Sequence, residues 1–282
     1  MALKLFERMF TTEPTTRPRL GLSLGSGAAR GVAHVGVLKA FQEAGVKIDA
    51  IAGSSAGAVV GAIYAGAGLD ALLDAAATVT LSSLARPTLS KRGLASSVVV
   101  ETLVARYLGE KHFKDLSIPF TAVATDLKSG REVLLNTGVV ARAARASAGF
   151  VGLFAPVELD GMFLVDGAVA CPAPVGVVRG MGADLVVASD VMPNVVFEEF
   201  PEHIFGIVTR TLDILIKKSQ VHLIEQADFT VVPITGDVGS FDLDDCKRLI
   251  EMGERAAAEV IPAVRRELAE RTPSSHLLPA AR

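Results

Sequence analysis

The sequence predicts an α/β domain of three layers, helix on sheet on helix, around a central and mostly parallel sheet. Three observations lead there. Short apolar runs of strand length alternate with longer helical patterns, with no internal repeat. Two of those runs pass through glycine-rich turns directly into helices, as βα connections do in a parallel sheet. Half of the 282 residues are hydrophobic and 26 are glycine, with no tryptophan, which suits close helix-on-sheet packing and a substantial core.

The elements follow in chain order. Gly21–Leu24 reads as a strand, and the loop Gly25-Ser26-Gly27-Ala28-Ala29-Arg30-Gly31 follows it. A helix runs from Val32 to about Glu43, with Val35, Leu38 and Phe41 on one face and Gly45 just past its end. Ile48–Ala52 reads as a second strand, then Gly53-Ser54-Ser55-Ala56-Gly57, then a small-residue helix from Ala58 to Ala67. Residues 79–100, rich in Thr, Ser and Leu and containing Pro87, are either a lid or an ordinary surface loop. Pro119–Ala124 and Ala183–Ala188 read as buried strands, and Gly161–Leu164 as a short one. Val195–Val221 reads as largely helical, with apolar Phe200, Ile204, Ile207, Val208, Leu212 and Leu215. Phe229–Pro233 is a short strand. Asp242 or Asp244 is expected to cap a last helix that Pro262 bends or restarts.

Gly53-Ser54-Ser55-Ala56-Gly57 carries the most chemical information. A strand, a tight Gly-Ser-Gly turn and a helix lift a serine hydroxyl out of the backbone at the mouth of a sheet. Ser55 would then stand at a helix N-terminus, where free N–H groups favour developing negative charge. The alternative is a small-residue turn that only packs a helix on a sheet. The loop Gly25–Gly31 has two chemical uses as well. It can cradle a phosphate, or its amides can hold an oxyanion. Gly25-x-Gly27 fits a dinucleotide fingerprint, but Arg30 stands at the third glycine position, and Asp49 precedes the next strand rather than ending it. No Gly-Lys-Ser/Thr is present. Beside a nucleophile turn on the next strand, the loop reads as an oxyanion hole.

A serine nucleophile needs a base. Asp166, in Val165-Asp166-Gly167-Ala168, ends an apolar run next to a glycine; alone it would pass for an ordinary Asp-Gly turn. None of the five histidines is well placed. His34 lies in the helix after the glycine loop, His203 and His222 in or beside a helical stretch, His276 in a polar tail, and His112 matches no motif. Asp166 is the better partner.

Together the three pieces resemble the patatin-like phospholipase family, whose members use a Ser–Asp dyad. Gly25–Gly31 is similar to the family's oxyanion loop, Gly53–Gly57 to its nucleophile turn, and Asp166-Gly167-Ala168 to its Asp-Gly-Gly/Ala element. Arg30–Leu38, Ala124-Thr125-Asp126-Leu127, Ala155-Pro156-Val157 and Ala227–Ala257 are similar too, so the resemblance covers roughly residues 19–262. It implies a patatin-like fold with catalytic Ser55 and Asp166. The oxyanion loop would be Gly25, Ser26, Gly27, Ala28, Arg30 and Gly31, the nucleophile elbow Gly53, Ala56 and Gly57, and the Asp loop Gly167 and Ala168. There are departures. Ser26-Gly27-Ala28 stands where many members have three glycines, Val151 where proline is frequent, and Cys171 where asparagine is frequent.

The implied activity is lipid acyl hydrolysis of phospholipase A or lysophospholipase type. Asp166 would take the Ser55 proton, helped by a pKa raised through burial near Leu164 and Val165. Amides of Gly27 and Ala28, with Ala56, would bind the oxyanion, at about 3–4 kcal/mol for each donor. Arg30 either attracts a phosphate head group or, more simply, makes a structural ion pair. No cofactor and no metal are expected. Asp126, Asp160, Asp184 and Asp190 are scattered single acids that read as turn residues. The competing functions are a regulatory or interaction protein on the same fold with little turnover, and a nucleotide-binding α/β protein.

Composition narrows the rest. Net charge is −3, with no basic stretch interleaved with aromatics, so nucleic acid is not an expected partner. The expected partner is a lipid or ester, with transient contact at a membrane surface. Cys171 and Cys246 fit no disulfide framework, pointing to a reducing compartment, the cytoplasm. Residues 50–69 carry no charge, but Gly, Ala and Ser dominate them, as in a buried strand–helix unit rather than a span. The expected division is an N-terminal extension over 1–18, a catalytic domain over 19–271 and a tail over 272–282. In the extension, Leu3, Phe6 and Phe10 would make one apolar helix face, docked on the domain or touching lipid.

Overall fold

The computed structural model describes residues 17–80, 93–192, 200–233, 238–239 and 242–271. The face made by Leu3, Phe6 and Phe10, most of the 79–100 segment, the 195–199 start of the expected helix and the 272–282 tail lie outside them.

The first half of the chain alternates strand and helix. β1 (Leu20–Leu24) leads through a 3-10 turn, Ala28–Val32, into α1 (Ala33–Glu43). β2 (Ala50–Ser54) leads into α2 (Ala56–Thr78), followed by α3 (Val98–Leu108), β3 (Phe120–Asp126) and β4 (Glu132–Leu135). Then come α4 (Val140–Ser147), β5 (Val157–Leu159), β6 (Met162–Asp166), α5 (Val175–Gly180) and β7 (Leu185–Ser189). α6 (Ile204–Ile224), β8 (Phe229–Val231) and α7 (Cys246–Glu270) complete the described chain.

The eight strands form one sheet, hydrogen-bonded in the order β5-β6-β3-β2-β1-β7-β8, with β4 also on β3. The β3-β2-β1-β7-β8 part is parallel, while the β4, β5 and β6 pairings are antiparallel. The strand order reverses at β1, with β2 on one side and β7 on the other. That reversal opens a crevice at the strands' carboxyl ends, where open α/β sheets place their ligands. Side chains alternate across the sheet. Ile51, Leu185 and Val187 join the larger core with α1, α2 and α7, while Ala50, Ala52, Val186 and Ala188 face α5. Helices cover both faces, giving the three-layer arrangement.

Several elements differ from the sequence reading, each for a physical reason. The helix expected over 58–67 begins at Ala56 and breaks where expected, at the non-helical Gly68 (φ 82°, ψ −174°), and a second helical segment over 69–78 continues α2 across that kink. Residues 98–100, expected within a loop, are the first turn of α3. The last helix is capped by Asp245 rather than Asp242 or Asp244. The Asp245 Oδ1 accepts from the Arg248 N–H at 3.0 Å, and Pro262 sits inside an uninterrupted helix. α6 starts at Ile204, and its apolar Ile204, Ile207, Val208 and Leu215 face outward, as does Phe200 before it.

Among the described helices, α2 is long and apolar enough to cross a membrane. Its apolar surface is used inside the domain instead. Ala58, Ala62, Ile63 and Ala65 are fully or almost fully buried.

Candidate active site

β3 sets the geometry of the site. β4 occupies one edge of β3 along Ala122–Thr125. β2 takes the other edge along Phe120–Val123, and β6 takes that same edge beyond it, along Ala124–Asp126. β2 is parallel to β3 and β6 antiparallel, so their carboxyl ends meet head to head. Ser54 pairs with Val123 and Asp166 with Ala124, the next residue along. The turn after β2 therefore starts where β6 stops.

Ser55 is that turn. Its backbone angles are φ 55° and ψ −122°, a strained conformation for a residue with a side chain and the one that a nucleophile elbow requires. The Ser55 N–H donates to Ser147 Oγ at 3.1 Å, and Ser147 Oγ–H donates to the Val123 carbonyl at 2.5 Å. This buried serine at the end of α4 thus ties the elbow to β3. Ser55 Oγ–H donates to Asp166 Oδ2 at 2.7 Å, and both residues are buried. Asp166 is fixed in turn. Its Oδ1 accepts from the Ala168 N–H at 2.9 Å, its own N–H donates to Gly149, and its carbonyl accepts from Thr125 Oγ1 at 2.8 Å. Burial pushes the Asp166 carboxyl up to about 6, against the opposing pull of its bonds from Ala168 and Ser55.

The glycine loop lies against the elbow. A β-carbon on Gly31 would sit 2.4 Å from that of Ala56, and one on Gly57 would sit 2.2 Å from the Leu24 carbonyl oxygen, so these contacts exclude any side chain. Gly53 and Gly167 are confined in the same way, Gly53 by the Gly57 carbonyl and Gly167 by that of Val123. The expected oxyanion loop divides into two groups. Gly25 N–H donates to Ser189 and Ser26 N–H to Pro172, so neither amide points free into the crevice. No backbone carbonyl among the described residues accepts from Gly27 or Ala28, which open the 3-10 turn. Ala28 is held at φ 49°, the left-handed region that favours glycine. Ala56 and Gly57 begin α2, and the first turn of a helix leaves its N–H groups without intrahelical acceptors.

Arg30 does not face a ligand. It is 1% exposed, its Nε donates to the Val238 carbonyl at 2.7 Å, and Asp213 of α6 favours its charge against the pull of burial. It is a strut under the loop. His34 is fully buried. Its Nε2 must carry the proton, since the Gly25 carbonyl 2.8 Å away only accepts; Nδ1 then accepts from Ser189 Oγ–H at 2.8 Å. Burial pushes its pKa down to about 4, so it braces the loop as a neutral ring. Asp126 accepts from Lys128 and Ser129 and closes the β3–β4 turn. Cys171, where the family often has asparagine, donates its N–H to Gly167, and burial raises its thiol pKa.

Two cavities meet at Ser55. The larger, about 190 Å³, runs between α2 and the 148–154 segment and is almost wholly apolar, with Val60, Ile63, Leu72, Leu103, Phe150 and Phe154 in its wall. The smaller, about 30 Å³, lies on the Asp166 side and includes Gly27, Ala28, Met192, Asp213 and Ile216. Ser147 and the wall residues Phe150, Leu153 and Phe154 were not singled out from the sequence. A lone serine at a helix end carries no motif, and three spaced aromatic and aliphatic residues read as ordinary core. Thr125 lies within a stretch already noted as family-like.

The comparisons identify the family and the fold. A family model described as patatin-like phospholipase matches residues 22–179, more than half of the chain and both Ser55 and Asp166. An uncharacterized NTE family protein of Mycobacterium tuberculosis is 41% identical over 177 residues, covering 62% of this chain and 49% of that protein. Lysophospholipase nte1 of Aspergillus fumigatus is 32% identical over 187 residues, covering 61% of this chain and 12% of its own. Patatin-like phospholipase domain-containing protein 6 of Mus musculus is 33% identical over 181 residues, covering 61% and 13%. The chain spans about half the length of the mycobacterial relatives it matches and far less of the others. Among solved structures, VipD from Legionella pneumophila superposes with a TM-score of 0.57 at 13% identity, over 88% of this chain and 67% of that one. Human GIVD cytosolic phospholipase A2, in complex with methyl gamma-linolenyl fluorophosphonate inhibitor and terbium chloride, gives 0.50 at 12% identity, over 96% and 62%. These two likenesses concern the fold. On its sequence match and its architecture, the chain belongs to the patatin-like phospholipase family.

Proposed function

We propose that this protein is a serine lipid acyl hydrolase of phospholipase A or lysophospholipase type, working through a Ser55–Asp166 dyad. The observation that carries the reading is the 2.7 Å hydrogen bond from Ser55 Oγ to a buried carboxylate at the end of an apolar cavity. Family membership and the lysophospholipase relative support the reaction class.

Asp166 takes the Ser55 proton as Oγ attacks the ester carbonyl carbon. A carboxyl near 6 is far better matched to this task at neutral pH than a solvated one. The carbonyl oxygen becomes an oxyanion held by the amides of Gly27, Ala28 and Ala56, each donor worth about 3–4 kcal/mol. The intermediate collapses to an acyl-Ser55 ester, and the departing alcohol oxygen takes the proton back from Asp166. Asp166 then deprotonates a water that attacks the acyl carbonyl, freeing the fatty acid and restoring Ser55 Oγ–H. The acyl chain occupies the larger cavity, which exceeds the roughly 150 Å³ that accepts a benzene ring in an apolar protein interior. The smaller cavity, beside Asp166, suits the alcohol side that must receive the proton.

A fluorophosphonate probe with mass-spectrometric mapping tests this reading. Labelling confined to Ser55, and lost in Ser55→Ala, is the expected result. Folded wild-type protein that leaves Ser55 unlabelled and hydrolyses no soluble ester would overturn it and favour a non-catalytic interaction protein.

A further inference from the structure

α6 is amphipathic in the reverse of the usual sense. Its inward face is polar: Thr209, Asp213 and Gln220 are its buried residues. Each of the last two has an internal task. Asp213 stabilises the buried Arg30, and Gln220 Nε2 donates to Asp190 Oδ1 at 2.7 Å. Its outward face is apolar. Ile204 is 81% exposed and Leu215 58%, with Ile207, Val208, Ile214 and Val221 all above 40%. Positions 204, 207, 208, 211, 215, 218 and 221 follow the i, i+3, i+4, i+7 spacing of a single helix stripe. Phe200, 81% exposed, stands just before the helix.

The charges on this helix have one sign. From His203 to Ile224 the sole acid is Asp213, which is buried, while Arg210, Lys217 and Lys218 are cationic. Lys217 reaches inward to Asp190 at 3.1 Å, and Lys218 is exposed within the stripe. The same helix walls the active site: Leu212, Asp213 and Ile216 line the smaller cavity with Ser55 and Asp166. Val169, 47% exposed, lines that cavity too.

We infer that the outward face of α6 docks on an anionic lipid surface, bringing the mouth of the Ser55 site against the bilayer. An exposed apolar stripe that carries a lysine and no exposed acid is the pattern of a helix lying in a membrane interface. Its aliphatic residues enter the acyl boundary, and the exposed Lys218 meets phosphate groups. A second copy of the chain is the poorer occupant, because a two-fold interface on this face would bury Lys218 of both copies with no exposed acid on the helix to compensate. The biological use of this surface rests on the lipid-hydrolase reading, whereas the docking itself does not require turnover.

Co-flotation of the Ser55→Ala protein with vesicles of phosphatidylcholine, with and without phosphatidylglycerol, tests the proposal without consuming lipid. Binding to the anionic vesicles, weakened by salt, is expected. The double substitution Ile207→Glu/Leu215→Glu should lower that binding roughly tenfold or more, and Lys218→Ala about fivefold. Hydrolysis of a soluble short-chain ester by the same variants, with Ser55 restored, should stay at the wild-type rate. Absent binding of the wild-type face, or binding untouched by either substitution, overturns the proposal. So does a homodimer in light scattering that Ile207→Glu/Leu215→Glu dissociates. Vesicle binding together with no soluble-ester turnover by the wild-type protein would sink the hydrolase reading and leave the docking face standing.

Discussion

α2 and α6 are both long and rich in apolar residues, yet they use that apolarity in opposite ways. α2 is built from Gly and Ala with few branched residues, and it lies against the sheet and α1 with its small side chains inside. α6 carries long aliphatic residues that face out, while Asp213 and Gln220 face in. The difference shows that the inward side of a helix is chosen by its most demanding groups. The buried Arg30 and Asp190 already lie under α6, and desolvated charges without partners are far costlier than exposed leucines. α2 buries small apolar side chains along its length, and its N-terminus delivers Ser55 and Ala56 to the crevice.

The largest expected effect breaks the chemistry at the head of α2. Ser55→Ala should lower kcat on a soluble ester by about 10⁴-fold or more, and Asp166→Asn by a comparable factor, with far-UV circular dichroism unchanged.

Stability should then separate the two helices. Gly57→Val forces a side chain into the Leu24 carbonyl and should lose about 3 kcal/mol in urea unfolding. On α6 the ranking is inverted relative to ordinary helices. Asp213→Ala, which strips a partner from buried Arg30, should lose about 3 kcal/mol, whereas Leu215→Ser should stay within about 0.5 kcal/mol. An equal loss at Asp213 and Leu215 would break the comparison.

pH gives a third separation. Asp166 must be ionised to accept the Ser55 proton, so kcat/KM should fall about tenfold for each unit below about pH 6 and level off above it. Stability moves the other way. The folded protein holds this proton more tightly than the unfolded chain. The stabilisation is fully present below the ordinary value of 3.8 and is lost as pH rises through about 6. The melting temperature of Asp166→Asn should therefore exceed that of wild type at pH 8, with the advantage vanishing below pH 3.8. A modest gain in stability is expected at Ala28→Gly. Relief of φ 49° should add about 1 kcal/mol to stability while ester turnover continues.

Much of the site was legible because its constraints are local. Glycines at 53 and 57 around a serine, after an apolar run, announce a turn that only small residues permit. Gly31 announces a close approach, though its neighbour, Ala56, is known only once the chain is folded. Asp166 was reachable by elimination of the histidines and by its motif. Ser147 and the split of the glycine loop were not. Which amides of Gly25–Ala28 stay free depends on Ser189 and Pro172, remote in sequence, taking the first two. The edge strands β4 and β5, four and three residues long, gave too little periodicity to read.

By itself the sequence determined the layered α/β class, the order of the central strands and helices, and the residue types that meet at the crevice. These follow from hydrophobic period and turn sterics, which act over a few neighbouring residues. Tertiary structure alone decided that β6 enters the same edge of β3 as β2, head to head, so that Asp166 reaches Ser55. It alone decided that α6 turns its apolar side to the outside. Both outcomes depend on which distant backbone edges and buried charges are already in place, and no local pattern records them.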